Sequence, residues 1–223
     1  MNELGRFHLM LESLRSGFKR IIAPVAKLLV RLGVSANSVT IVGTLAVVVT
    51  AFVTAFTGQL IVGTILLTIF VLADGLDGSV ASLTTGGTKF GAFLDSTLDR
   101  IADWSLFVAI GILLYRAKNS YICIFLPSVL GISLKYVGLF SCAIALMAAF
   151  VTSYTRARGQ SISVDPKSGL ITRADRVAVI LISMAISGLT NQLFWLSCAM
   201  ILLSIGGIVT VVQRIIEVKQ GLK

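Results

Sequence analysis

Four aspartates mark the stretch of this 223-residue sequence best equipped for chemistry: Asp74, Asp77, Asp95 and Asp99. Spacings of three and four put each pair on one face of a helix. Both pairs lie in or beside apolar runs, where one unpaired carboxylate costs roughly 2.5–3.5 kcal/mol on membrane-insertion scales. Four would cost on the order of 10 kcal/mol, and the nearby lysines and arginines are too few to neutralise them. A divalent cation is the simplest compensation. An all-oxygen donor set with no Cys or His suits a hard ion such as Mg²⁺ or Mn²⁺ rather than Zn²⁺. Gly75, Gly78 and Gly91 leave room for a substrate or a neighbouring helix at close range. A structural ion-pair cluster or a transporter's proton path would use the same residue type. Four carboxylates with glycines at fixed offsets are far more specific than a lone buried Asp.

The elements that carry these residues belong in a membrane. The sequence is 56% hydrophobic and 13% charged, which excludes disorder and an ordinary soluble domain. The length accommodates about six spans of roughly 20 residues. The reading is an all-α integral membrane fold, six transmembrane helices preceded by an N-terminal amphipathic interfacial helix. Residues 1–34 form the interfacial and juxtamembrane part, and 35–223 the six-helix transmembrane domain that carries the aspartates. From Gly5 to Leu32, apolar residues recur at three and four between Arg15, Lys19, Arg20, Lys27 and Arg31, the pattern of a surface-lying helix that Pro24 breaks.

Ser35-Ala36-Asn37-Ser38 supplies capping residues for a first span over about Val39–Phe56. The second runs from Leu60 to about Leu83, and a Gly/Thr-rich loop leads to a third from near Phe90 to before Arg116. Residues 121–134, with Pro127 and Gly131, form an extra re-entrant or interfacial segment. The remaining spans are about Tyr136–Thr155, Arg176–Leu189 and Leu193–Val212. On this layout fifteen Lys and Arg fall on one side against three on the other, which places both termini and the aspartates' side in the cytoplasm. The net charge of +9 is explained by topology and anionic headgroups; no basic stripe with interleaved aromatics points to nucleic acid. Cys123, Cys142 and Cys198 lack paired spacing and read as small buried hydrophobes.

The aspartate stretch resembles the signature of the CDP-alcohol phosphotransferase family, D-x2-D-G-x2-A-R-x8-G-x3-D-x3-D. Asp74, Asp77, Gly78, Ala81, Gly91, Asp95 and Asp99 are in register, and Ser82 stands where the family has Arg. The resemblance extends over most of the chain, including the basic N-terminal helix and Asn37-Ser38-Val39-Thr40. Within the family the chain is most similar to bacterial phosphatidylinositol phosphate synthases. Residues 153–158, Arg173 and Arg176 carry that nearer likeness. The resemblance implies transfer of the phosphatidyl group of CDP-diacylglycerol to a polyol hydroxyl, with release of CMP. It implies Asp74, Asp77, Asp95 and Asp99 as metal residues for two Mg²⁺ (or Mn²⁺) ions, and Asp99 as the base. It also implies CDP-diacylglycerol contacts at Asn37, Ser38, Val39, Thr40, Gly78, Ser82 and Thr88, and a homodimer in the plasma membrane. Capping is an equal alternative for Asn37 and Thr40. Ser cannot replace an Arg in charge or reach, so the Ser82 position implies lower activity or relief by another cation such as Lys89.

Arg156, Arg158, Arg173 and Arg176 flank the loop between the fourth and fifth spans. They serve the positive-inside signal, and arginines converging from two helices also make a pocket for a phosphate dianion. A phosphorylated acceptor is therefore expected, inositol 3-phosphate first and glycerol phosphate second. Ala149 and Phe150 are apolar where the resemblance leads one to expect polar groups facing a polyol. Lys135 falls on the opposite side in this layout and stays outside the site. Asp103, four beyond Asp99, is expected to orient a neighbour or line a water-filled cavity rather than bind metal. The rival reading, an ion or metabolite transporter, would lead one to expect matched broken helices in two halves. The aspartates instead sit in one hairpin.

Overall fold

The computed structural model describes residues 24–73, 80–84, 86–117 and 134–222. The expected interfacial helix up to residue 23, the sites at Asp74, Gly75, Asp77 and Gly78, the segment before Leu134 and Cys123 lie outside the described residues. Within them the chain is helical, with no strand. Six helices follow in order: α1 (Ala36–Thr57), α2 (Leu60–Ala73), α3 (Lys89–Arg116), α4 (Leu134–Ser161), α5 (Arg173–Thr190) and α6 (Phe194–Gly221). Residues 24–31 and 80–83 form further short helical stretches.

Of these, α1, α4 and α6 are long and apolar enough to cross a membrane, and α2 is a shorter apolar helix. Their outer faces carry large apolar side chains, with Phe140 70% and Val42 64% exposed, as lipid-facing positions require. The protein is a membrane protein.

The helix boundaries follow from local chemistry. Ser35 Oγ accepts from the Ser38 N–H at 3.2 Å and caps α1, so the capping role weighed for Asn37 belongs to Ser35. Thr88 Oγ1 accepts from the Gly91 N–H at 2.9 Å and caps α3. Before it, Gly86 and Gly87 take φ of 75° and 89°, a left-handed turn that side-chain-bearing residues rarely adopt. At α5, Thr172 and Asp175 form a capping box. Asn191, at φ 54°, closes α5 between the spans expected to end at about Leu189 and begin at about Leu193.

The chain divides into two compact units, Met1–Ala46 with Ile69–Asp99, and Val47–Thr68 with Arg100–Lys223. In the first, Ala26, Thr40, Thr44 and Val80 are buried. In the second, Leu67, Phe107, Ile110, Leu114, Ile180, Leu196, Met200 and Leu203 form the core. Its largest helix–helix interface among the described residues joins α4 and α6. There Gly207 approaches Ala148 so closely that an added Cβ would lie 2.8 Å from the Ala148 methyl, the small-residue packing usual between membrane helices. Some buried hydroxyls return to their own helix: Thr54 donates to Thr50 O and Thr64 to Leu60 O, each at 2.7 Å.

Candidate functional site

The first unit holds a cleft of about 520 Å³ built from two helix starts. Gly33, Ser35, Asn37 and Thr40 line it from the beginning of α1, and Gly87, Thr88, Gly91 and Asp95 from the beginning of α3. Neither helix has an acidic residue in its first turn. Two sets of N-terminal N–H groups and dipole ends therefore border one cavity, an arrangement that favours phosphate. A Cβ on Gly91 would lie 3.2 Å from Asn37 Oδ1 and 3.1 Å from Thr88 Oγ1, so this glycine lets the two polar side chains close on the cleft.

Of the residues expected to contact CDP-diacylglycerol, Asn37, Thr40 and Thr88 line this cleft. Ser38, Val39 and Ser82 are outside its lining, and Ser38 pairs with Ser35 at 2.9 Å. Thr40 Oγ1 donates to Ala36 O at 3.1 Å within α1. Asp95 reaches the cleft, and Asp99 follows one turn later on α3, both half-buried. Among the described residues no three His, Cys, Asp or Glu form a metal-sized group; Asp74 and Asp77 are not among them.

The second unit gathers the arginines. Asp103, 3% exposed, accepts from Arg176 Nη2 at 3.0 Å and from Arg173 Nε at 3.4 Å. Arg176 is buried, and among the described residues its Nε–H has no hydrogen-bond partner. An unsatisfied buried donor costs about 1–3 kcal/mol, which an acceptor oxygen would recover. The expectation that Asp103 orients a neighbour is thus met by two arginines at the start of α5.

Arg156 pairs outside the Asp103 cluster. Its Nε donates to Asp165 Oδ1 at 3.1 Å, and Gln160 Nε2 donates to the same oxygen at 2.9 Å. The Arg156 hydrogen bond, aided by Gln160 and Lys167, holds the Asp165 carboxyl below its ordinary range. Arg158 Nη1 donates to Ser161 Oγ at 3.1 Å. Sequence reasoning missed Arg214, whose Nη1 donates to Thr152 O at 2.8 Å and Nε to Ser168 O at 3.1 Å. It lies within electrostatic reach of Arg156 and Arg176. Its place in a basic tail gave no periodic signal for either contact.

Arg116 and Lys135 do different work. Arg116 Nη1 donates to Phe56 O at 2.8 Å and its guanidinium lies 5.5 Å from the Phe56 ring centre. Lys135 Nζ donates to Ala117 O at 2.9 Å. Both satisfy backbone carbonyls at helix ends.

The profile of the CDP-alcohol phosphatidyltransferase family matches residues 33–212. A phosphatidylinositol phosphate synthase of Cutibacterium acnes is 35% identical over 219 residues, covering 95% of this chain and 99% of that protein. One from Streptomyces avermitilis is 35% identical, with 92% and 81% covered. Among solved structures, Mycobacterium tuberculosis phosphatidylinositol phosphate synthase (PgsA1) with CDP-DAG bound is similar at TM-score 0.76 and 32% identity, covering 89% of this chain and 94% of that one. The same enzyme in complex with manganese and citrate gives TM-score 0.75, with 88% of each chain covered.

Proposed function

From the premise that the chain belongs to the CDP-alcohol phosphatidyltransferase family, we propose that it is a phosphatidylinositol phosphate synthase. In this reading it transfers the phosphatidyl group of CDP-diacylglycerol to a hydroxyl of inositol 3-phosphate, yielding phosphatidylinositol phosphate and CMP. The nearness of its relatives in sequence and structure supports this.

Asp74, Asp77, Asp95 and Asp99 would hold two Mg²⁺ or Mn²⁺ ions, and their oxygen-only chemistry fits that class of ion. Such ions, when bound, neutralise pyrophosphate charge and stabilise the entering and leaving oxygens. The protein's own contribution begins with binding. The starts of α1 and α3 receive the cytidine diphosphate, through their N–H groups and through Asn37, Thr40 and Thr88, with Gly78 and Ser82 as the further contacts. Asp99 takes the proton of the attacking hydroxyl. The P–O bond to the acceptor forms as the bond to CMP breaks, and CMP leaves with the electron pair.

Arg156, Arg158, Arg173 and Arg176 serve the acceptor's phosphate. The observation that carries the choice of a phosphorylated acceptor is the meeting of Arg173 and Arg176 at Asp103. An uncharged polyol such as inositol would give a guanidinium pair much less to bind. The sequence-based layout supports six spans, an interfacial N-terminal helix, and cytoplasmic termini and active site in the plasma membrane. A homodimer in the lipid bilayer completes the reading.

The test is an acceptor screen. Purified protein receives labelled CDP-diacylglycerol, Mg²⁺ and either inositol 3-phosphate, glycerol phosphate, inositol, serine or choline. CMP release with inositol 3-phosphate above the others supports the reading. Preference for glycerol phosphate would make it a phosphatidylglycerol phosphate synthase, and solute flux without CMP would make it a transporter.

A further inference from the structure

The loop before α5 has no helix or strand partner of its own, so its backbone donors must find acceptors elsewhere. Four of them find side chains on one face of α6. Glu217 Oε1 accepts from the Lys167 N–H at 3.2 Å and Oε2 from the Ser168 N–H at 2.8 Å. Gln213 Oε1 accepts from Leu170 N–H at 2.9 Å, and Thr210 Oγ1 from Ile171 N–H at 3.0 Å. Arg214, in the same stretch, donates to Ser168 O and to Thr152 O on α4. The positions 210, 213, 214 and 217 follow the i, i+3, i+4, i+7 rule of a single helix face.

The seating is close. A Cβ on Gly169 would lie 2.7 Å from Thr210 Cγ2, so the loop can lie this near α6 only with glycine there. The residue after Ile171 is Thr172, the cap of α5, and one and four residues beyond it stand Arg173 and Arg176.

We propose that the polar face of α6, led by Glu217 and Gln213, is a splint that sets where Arg173 and Arg176 stand and so tunes recognition of the acceptor's phosphate. These are positioning residues that touch no substrate. The proposal rests on the acceptor reading above. It goes beyond that reading by assigning specificity to the end of a helix remote in sequence from every motif of the family signature. Arg214 is unsuited as the probe because its own charge reaches Arg156 and Arg176. Glu217 and Gln213 are better.

The experiment compares full-length wild type, Glu217→Ala, Glu217→Gln and Gln213→Ala in detergent or nanodiscs. Hydrogen exchange is followed at residues 167–171, and KM is measured for inositol 3-phosphate and for CDP-diacylglycerol. Glu217→Ala should speed exchange in the loop and raise the acceptor KM about tenfold, with the CDP-diacylglycerol KM moving less than twofold. Glu217→Gln, which keeps one acceptor oxygen, should fall between it and wild type. Gln213→Ala should show the same selectivity at smaller size, and decides the matter if Glu217→Ala does not fold. Unchanged exchange would overturn the splint, and faster exchange with equal changes in both KM values would overturn its link to the acceptor. If wild type uses an unphosphorylated acceptor, the acceptor reading falls, and the proposal of phosphate tuning falls with it even where the loop exchange responds.

Discussion

Two helix starts in this protein are capped by threonine, and they are equipped differently. At α3, Thr88 caps a first turn with no acidic residue, and residues of that turn line a cleft. At α5, Thr172 is locked with Asp175 in a capping box. The Thr172 hydrogen bonds hold the Asp175 carboxyl below its ordinary range, so that helix start already has its own anion. There, positive charge is presented by the side chains of Arg173 and Arg176 on Asp103. Under the proposed function, the contrast separates two ways of gripping phosphate. Backbone donors suit a group that must lie against the main chain, and guanidiniums suit one recognised at arm's length by its shape and charge.

The most severe break is at the chemistry. Asp99→Asn should lower the rate of CMP release by about 10²–10⁴-fold, the range for loss of a positioned general base, while the protein still inserts and folds. Steady-state assay with both substrates saturating checks this. Next is the anchor of the second start. Asp103→Ala leaves two guanidiniums without their buried carboxylate and should destabilise the fold by about 3–5 kcal/mol, seen as a large drop in Tm.

Asn37→Ala sharpens the other half. It should raise the KM for CDP-diacylglycerol roughly fivefold, about the 1 kcal/mol of one hydrogen bond, and leave the acceptor KM alone. Arg116→Met is a control on a basic residue that serves a helix end, bonding the Phe56 carbonyl and lying over its ring. It should cost about 1 kcal/mol or less of stability and shift neither KM.

The smallest effect concerns pH. Asp165 is depressed in the folded protein, so its contribution is present above the ordinary value of 3.8 and lost as pH falls below it. Faster proteolysis of the 162–168 loop should therefore begin only under acid conditions. Asp165→Asn should show it at neutral pH.

The helical framework was legible because apolar runs were punctuated by Gly, Ser, Thr and Asn at the turns. The reading of the third span from near Phe90 to before Arg116 lies within a residue of α3 (Lys89–Arg116). It was less good where tertiary contacts set the ends. Hydrophobicity starts the fifth span at about Arg176, whereas the capping box of Thr172 and Asp175 starts α5 at Arg173. The sixth was ended at about Val212, yet α6 runs on to Gly221 because Gln213 and Glu217 find partners in a loop more than forty residues away in sequence. Hydrophobic periodicity has no means of reporting such partners. For the same reason Arg214 was passed over, and Asp103 was assigned an orienting role without knowledge of which side chains it would hold. Sequence alone allows Asn37 as cap or ligand; the structure puts the cap on Ser35 and Asn37 in the cleft.

The central claim is that the acceptor's phosphate is read by the arginines at the start of α5 and the nucleotide by the starts of α1 and α3. Measuring both KM values in Arg173→Ala tests it most directly. Loss of one charge-assisted hydrogen bond should raise the KM for inositol 3-phosphate about 10–100-fold and leave that for CDP-diacylglycerol within about twofold. An equal rise in both, or a rise confined to CDP-diacylglycerol, would contradict the claim.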